Sequence, residues 1–362
     1  MPDPWMTALP DRPFPYSQAD YEDVPCNLCG ATDAETVATR DRNGLRVRSV
    51  ICRRCGLIYL SPRMTAPWYQ RYYEVEYRRQ MAAYKRGRGL AVPDKVDLDR
   101  IYASQVRRGA WLVNFLCQHG VRPPQSVLEI GCSTGGLLRA LADAFGARIQ
   151  GVEPSPEECD YAERRGVPVY RGLFEEFHPS RDDQFDLVVC TQAFNHLLNP
   201  RRVAEQARRC LARDGVFFLE CQNFFNVCQI RDAVYQAVQI DHVYMFVPDT
   251  LQAMLKVAGF EVIPDSVSYS PWRSAPSSRA TSGDEPPSLH IRLLARPGVP
   301  DCQPSSTYAE VRNELMLFPN HSPVRVALRR LGRKIRNRLG RHMTVFRSRK
   351  RTAELSASSR AS

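Results

Sequence analysis

Ser126-Val-Leu-Glu-Ile-Gly-Cys-Ser-Thr-Gly-Gly136 is the stretch whose reading decides the fold. Val127, Leu128 and Ile130 make a short apolar run, the pattern of a strand buried on both faces in a parallel sheet. The run breaks at Gly131, and Gly135 and Gly136 open an amphipathic helix through Leu137, Leu138, Leu141 and Phe145. Strand, glycine turn and helix form the first half of a nucleotide-binding βαβ unit. Arg148 to Val152 supplies the next strand, and its tip carries Glu153, 24 positions after Glu129. An acidic side chain there accepts hydrogen bonds from both hydroxyls of an unphosphorylated ribose.

The glycine pattern separates cofactors. A dinucleotide site needs Gly-x-Gly-x-x-Gly so that backbone can close on a pyrophosphate, but here Ser133 stands at the second glycine. Glu129, two residues before the turn, would repel a diphosphate and hold a cationic amino group, directly or through water. Ribose, adenine and an ammonium are the groups of S-adenosylmethionine (SAM). On these residues the segment resembles motif I of the class I SAM-dependent methyltransferases. The resemblance implies cofactor contacts from Glu129, Gly131, Cys132, Ser133, Gly135, Glu153 and Pro154, and further along from Leu173 and Thr191. The family's usual acidic residue at the adenine turn, within Gly172-Leu-Phe-Glu-Glu, is Leu173 here, which leaves adenine to backbone groups or a neighbouring side chain. The fold implied is α/β: a Rossmann-like, seven-stranded methyltransferase sheet, mostly parallel with its last strand antiparallel. A small N-terminal zinc ribbon and a basic C-terminal helical tail complete it.

The ribbon is read from Cys26-Asn-Leu-Cys29-Gly30 and Cys52-Arg-Arg-Cys55-Gly56, with 22 residues between Cys29 and Cys52. Two C-x-x-C knuckles supply four thiolates for one tetrahedral Zn²⁺ and leave no open coordination position, so the metal is expected to be structural. The other eight of the 12 cysteines are scattered singly, which favours a reducing compartment over a disulfide scaffold. The start Met1-Pro-Asp-Pro has no export signature, and no run of 18 apolar residues occurs, so the expectation is a cytoplasmic chain.

Trp68 to Tyr84 is dense in tyrosine, with Tyr69, Tyr72, Tyr73, Tyr77 and Tyr84. The knuckle ending Cys-Gly-Leu-Ile-Tyr59, then Ser-Pro-Arg63, then this segment resembles a bacterial subgroup in which a four-cysteine module precedes the SAM domain. Its best understood members are sugar C-methyltransferases. Most of these tyrosines are expected to pack on the ribbon, with Tyr77 chosen for the pocket. Asp99 to His119 reads as a helix across the sheet, Trp111 and Phe115 sharing a face. Ser155 and Pro156 are natural N-cap and first-turn residues of the helix after Glu153.

Phe185 to Cys190 is the fourth strand, and Thr191-Gln-Ala-Phe-Asn-His196 follows its carboxyl end, where open α/β sheets bind ligands. Between strands five and six, residues 223–250 are longer than a plain connection and are expected to cover the site; they carry Asp241, His242 and Tyr244. His196 and His242 match histidines of the sugar C-methyltransferases, whose chemistry removes a proton next to a keto group before the enolate attacks the methyl. The expectation is that His242, oriented by Asp241 and aided by Tyr77 or Tyr244, is the base, while His196 polarises the sugar oxygen. O-methylation of a sugar hydroxyl would use the same residues.

The domain division expected is 1–24 lead-in, 25–63 ribbon, 64–120 Tyr-rich helical linker and lid, 121–296 methyltransferase domain, and 297–362 tail. Residues 321–351 hold twelve Lys or Arg and no Asp or Glu, which accounts for the net charge of +11. Leu and Ile at helical spacing make this a basic amphipathic segment suited to an anionic membrane surface at the inner face. The acceptor expected is a small molecule carrying a sugar. Two rivals are an RNA methyltransferase gripping nucleic acid through ribbon and tail, and a non-catalytic scaffold with the same fold.

Overall fold

The computed structural model describes residues 14–86, 97–179, 184–231, 233–268, 289–301 and 307–318. The Ser/Pro-rich loop at 271–287 and the basic segment 321–351 lie outside the described residues, as does most of the basic loop at 85–93.

Short apolar runs between the two cysteine knuckles build an antiparallel meander. After the short β1 (Tyr21–Glu22), β2 (Ala34–Arg40), β3 (Arg46–Cys52) and β4 (Ile58–Leu60) follow in order, and β5 (Arg63–Met64) turns back to pair with β1. All three residues of β4 are buried, so this ribbon has a covered face and is not an isolated module. Helices α1 (Ala66–Val75) and α2 (Tyr77–Arg86) follow, with Tyr69 and Tyr72 buried as the aromatic spacing implies.

Helix α3 (Leu98–Gln118) starts where the Asp97 carboxylate accepts from Arg100 N at 2.9 Å. Its apolar face, with Leu112, Phe115 and Leu116, meets Leu137, Leu138 and Leu141 of α4 (Gly136–Phe145) and the sheet residues Val127, Leu187, Val189, Phe218 and Leu294. Trp111 stacks on Phe115 with ring centroids 4.9 Å apart, as their spacing requires.

The remaining elements are β6 (Ser126–Ile130), β7 (Arg148–Glu153), α5 (Pro156–Arg164), β8 (Val169–Arg171), β9 (Phe185–Thr191), α6 (Pro200–Cys210), β10 (Leu211–Gln222), α7 (Phe224–Arg231), β11 (Tyr244–Met245), α8 (Pro248–Val257), β12 (Phe260–Val262), β13 (His290–Pro297) and α9 (Tyr308–Met316). The central sheet has the order β12-β13-β10-β9-β6-β7-β8, and only β13 runs antiparallel to its neighbours, as expected for the last strand. Every residue of β6 is buried, which is the two-sided burial read from Val127 to Ile130.

Two features depart from the expected division. The 223–250 connection adds β11 to the ribbon: Tyr244 pairs with Tyr59 and Met245 with Ile58. Residues 307–318, expected within the tail, form α9 on the ribbon. Thr307 Oγ1 donates to Cys55 O at 2.9 Å, and Arg312 pairs with Glu35 at 3.0 Å. No described helix is long and apolar enough to cross a membrane.

Candidate functional site

The turn after β6 is held from two sides. Gly131 and Gly135 have φ of +71° and +75°, the left-handed region that favours glycine, and Ser133 between them has φ +49°. A non-glycine residue is held in this region only when its surroundings over-determine it. They do: Glu153 Oε2 accepts from Ser133 N at 3.0 Å, and Glu153 Oε1 accepts from Ser155 N at 2.9 Å. From above, Gln105 of α3 accepts from Gly136 N at 3.1 Å and from Thr134 Oγ1, and its amide donates to Cys132 O at 3.1 Å. These bonds fix the shape of the turn.

Glu129 lies under this turn, 1% exposed. Its Oε1 accepts from Thr191 Oγ1 at 3.5 Å, while its Oε2 is buried without a hydrogen-bond partner among the described residues. Burial, the main cause, pushes the carboxyl well above the usual range, against the pull of the Arg108 charge. An ammonium at Oε2 would reverse that penalty, so the donor set suits an amino-acid headgroup.

At the ends of β9 and β10 a second cluster forms. His196 is half-buried and His242 buried, their rings perpendicular with centroids 4.6 Å apart. His196 Nδ1 lies 2.9 Å from Asp241 O, 3.1 Å from Tyr73 Oη and 3.7 Å from Asp241 Oδ2. His242 Nδ1 lies 3.1 Å from Gln239 Nε2, which also donates to Gln222 Oε1 at 3.2 Å. Burial is the main cause holding the His242 imidazole well below the ordinary range, with the nearby His196 and Arg42 adding to it, so this ring is neutral. Tyr77 faces His196 edge-on, with centroids 6.4 Å apart.

Residues 102–264 match the family model described as a methyltransferase domain. The segment is a SAM-dependent methyltransferase domain. A malonyl-(acyl-carrier protein) O-methyltransferase of Geobacter sulfurreducens is 28% identical over 213 residues, spanning 54% of this chain and 77% of that protein. A sterol 24-C-methyltransferase of Gibberella zeae is 26% identical over 158 residues, and the chain spans 41% of its length. The crystal structure of a SAM-dependent methyltransferase from Clostridium acetobutylicum superimposes with a TM-score of 0.41 at 14% identity, covering 64% of this chain and 99% of that one.

The residues expected at the cofactor and acceptor ends of the methyltransferase take distinct settings. The Cys132 side chain turns inward and is fully buried. It packs so closely on Gly151 that a Cβ there would fall 2.3 Å from Cys132 Sγ, so only its backbone lines the turn. Ser155 makes no side-chain cap; the Glu153 carboxylate takes its N–H instead. Leu173 is 53% exposed and Pro154 is exposed, each at the open end of its strand. Thr191 serves through its bond to Glu129. Tyr244 is not with the histidines: its hydroxyl takes a bond from Arg63 at 3.2 Å and donates to Leu198 O at 3.4 Å, and its ring stacks on Tyr59. Membership of β11 points it into the ribbon interface.

Four contributors escaped the sequence reading. Gln105 was legible as a polar residue on the apolar face of α3. Tyr73 stands four residues after Tyr69 and four before Tyr77, one helical face. Gln239 and Asn195 had no local signal; Asn195 donates to Tyr244 O at 3.0 Å and accepts from Gln222 N at 2.9 Å, tying the two loops together.

The four knuckle sulfurs lie within 4.8 Å of one another, with Cys26–Cys55 at 3.4 Å and Cys29–Cys52 at 3.5 Å. Tetrahedral zinc with Zn–S of about 2.3 Å requires sulfurs about 3.8 Å apart, so the set fits a closed Zn²⁺ site.

Glu129→Gln removes the charged partner of the ammonium, and a hydrogen bond to a charged group is worth about 1.5–3 kcal/mol. SAM affinity by calorimetry is expected to fall roughly ten- to a hundredfold; an unchanged Kd would take Glu129 out of the site. Glu153 is raised from the ordinary 4.5 to about 7, first by burial and then by Glu158, against the Ser155 and Ser133 N–H groups. A carboxyl that holds its proton more tightly when folded makes stability fall as pH rises between those values. The loss corresponds to about 3 kcal/mol. Denaturant midpoints measured from pH 4.5 to 7 are expected to show this slope flattened in Glu153→Gln, and equal slopes would refute it.

Proposed function

We propose that the methyltransferase transfers the methyl of SAM to a sugar or sugar-containing small molecule, at a carbon next to a keto group or at a hydroxyl, with His196 as the base. The observation that carries this reading is the hydrogen bond between His196 Nδ1 and Asp241 O. A carbonyl only accepts, so Nδ1 carries the proton and Nε2 keeps the lone pair. The side chain is 23% exposed, enough to meet an acceptor. His242 has the complementary state: the Gln239 amide donates to its Nδ1, so its Nε2 carries a hydrogen and acts as a donor. These bonds favour exchanging the roles expected from the sequence, with His196 taking the proton and His242 donating to the acceptor oxygen as negative charge develops there.

Bound SAM supplies an electrophilic methyl on a sulfonium. Glu129 and the Glu153 carboxylate at the tips of β6 and β7 would hold its ammonium and ribose, and the Gln105-braced turn its backbone contacts. Tyr73 and Tyr77 form the aromatic wall beside His196. The acyl-carrier-protein and sterol acceptors named for the relatives do not enter this reading; it rests on the histidine cluster and on the resemblance of the ribbon and the Asp241-His242 segment to the sugar enzymes. Cys26, Cys29, Cys52 and Cys55 hold a structural zinc. Mass spectrometry of products from candidate nucleotide sugars and glycolipids with methyl-deuterated SAM tests the acceptor class. A labelled methyl on carbon or on oxygen separates the two chemistries, and no labelled product from any sugar would sink the proposal.

A further inference from the structure

A row of charge on the α3 face of the sheet serves neither the cofactor turn nor the histidine pair. Arg292 of β13 is fully buried, and its Nε donates to Glu220 Oε2 at 2.6 Å. Its guanidinium carbon lies 4.7 Å from the centre of the Trp111 ring. Nη1 and Nη2 are both buried without a hydrogen-bond partner among the described residues. Arg108 of α3 approaches the other Glu220 oxygen at 3.7 Å, and Gln192 Nε2 donates to that oxygen at 3.0 Å. Two guanidiniums therefore share one carboxylate. The four N–H bonds of Arg292 Nη1 and Nη2 are left without an acceptor among the described residues.

A buried donor without an acceptor is costly, and a planar guanidinium fork is complementary to a carboxylate or phosphate. We propose that Arg292, backed by Arg108, is a subsite for an oxyanion carried by the acceptor. Its position favours the acceptor over the cofactor. Arg292 bonds to Glu220 over β10, two strands beyond β6, a separation of roughly 10 Å at the spacing of sheet strands. The ammonium and carboxylate of an amino-acid headgroup share one carbon, so a headgroup anchored at Glu129 ends short of it. The histidine side is joined to it directly: Gln222, two residues along the same face from Glu220, accepts from Gln239, which also bonds to His242. This inference rests on the reading of the histidine cluster as the acceptor site.

The test measures anion binding without turnover, so its failure is separate from failure of that reading. Full-length protein saturated with S-adenosylhomocysteine is titrated with acetate and, separately, inorganic phosphate at constant ionic strength, with calorimetry and the unfolding midpoint as readouts. The wild type is expected to bind saturably, and the anion bound more tightly identifies the acceptor's group as carboxylate or phosphate. Glu220→Gln/Arg292→Met, which removes both buried charges together so that neither is left uncompensated, is expected to bind at least tenfold more weakly. Arg108→Gln, which spares the buried pair, is expected to weaken binding severalfold. Equal binding by wild type and both variants, or none by the wild type, would overturn the subsite. Binding only to protein free of S-adenosylhomocysteine would overturn its assignment to the acceptor and give it to the cofactor's carboxylate.

Discussion

Replacing His196 by Ala is expected to lower kcat by about 10²–10⁴-fold, the usual contribution of a positioned general base. SAM affinity should stay the same, because the side chain bonds to Asp241 O and Tyr73 and not to Glu129 or Glu153. The comparison with His242→Ala decides the mechanism. His242 is buried and neutral, and its Nδ1 is occupied by Gln239, so its loss removes a donor to the developing oxyanion. Loss of one such donor costs about 10²–10³ in kcat. A conservative His242→Gln keeps an N–H donor and should recover part of that rate, whereas His196→Gln has no group basic enough to take the proton and should recover none. Single-turnover methyl transfer at saturating SAM measures both. Full activity of His196→Ala with loss only in His242→Ala would restore the assignment expected from the sequence.

Removing the metal is expected to be at least as damaging, and by a different route. Structural zinc contributes about 10–16 kcal/mol to folding in small zinc-binding peptides, comparable to the whole stability of a typical domain, about 5–15 kcal/mol. Without it, or in Cys52→Ser, the knuckles open and β4 loses its buried setting. The consequence reaches the site because β4 pairs with β11, Leu60 N donates to Val243 O at 2.9 Å, and Arg42 N donates to Val238 O at 3.0 Å. Asp241 and His242 lie between those anchors. Chelated protein should therefore lose hydrogen-exchange protection over 238–247 together with methyl transfer, while SAM still binds to the turn after β6. Elemental analysis should find one zinc per chain. A zinc-free protein with full activity and unchanged protection in that segment would show that ribbon and site are uncoupled.

Much of the cofactor end was legible in the sequence because its signals are local. The apolar run of β6, the glycines of the turn, and Glu153 at the tip of the following strand each follow from a few neighbouring residues, and all stand where the pattern put them. The inward turn of Cys132 was not legible, since it depends on Gly151 from the next strand leaving room for the sulfur. Nor was Gln105, whose bonds to the turn span 27 to 31 positions of sequence.

The histidine cluster was legible only as a set of residue types. His196, Asp241 and His242 are read from sequence, but which nitrogen of each ring carries a proton depends on a carbonyl 45 positions away and on an amide from Gln239. Tyr244 was misread because nothing nearby in the chain tells that its strand joins the ribbon at Tyr59, some 185 positions earlier. The same holds for α9, whose docking on Glu35 and Cys55 crosses more than 250 positions. By itself, then, the sequence determined a SAM-dependent methyltransferase fold and a four-cysteine knuckle pair, because periodicity, glycine turns and ligand spacing act over short range. Only the tertiary structure decided the hydrogen-bond partners of His196 and His242, and that the ribbon braces the segment carrying Asp241 and His242, because hydrogen bonds between residues far apart in the chain set both.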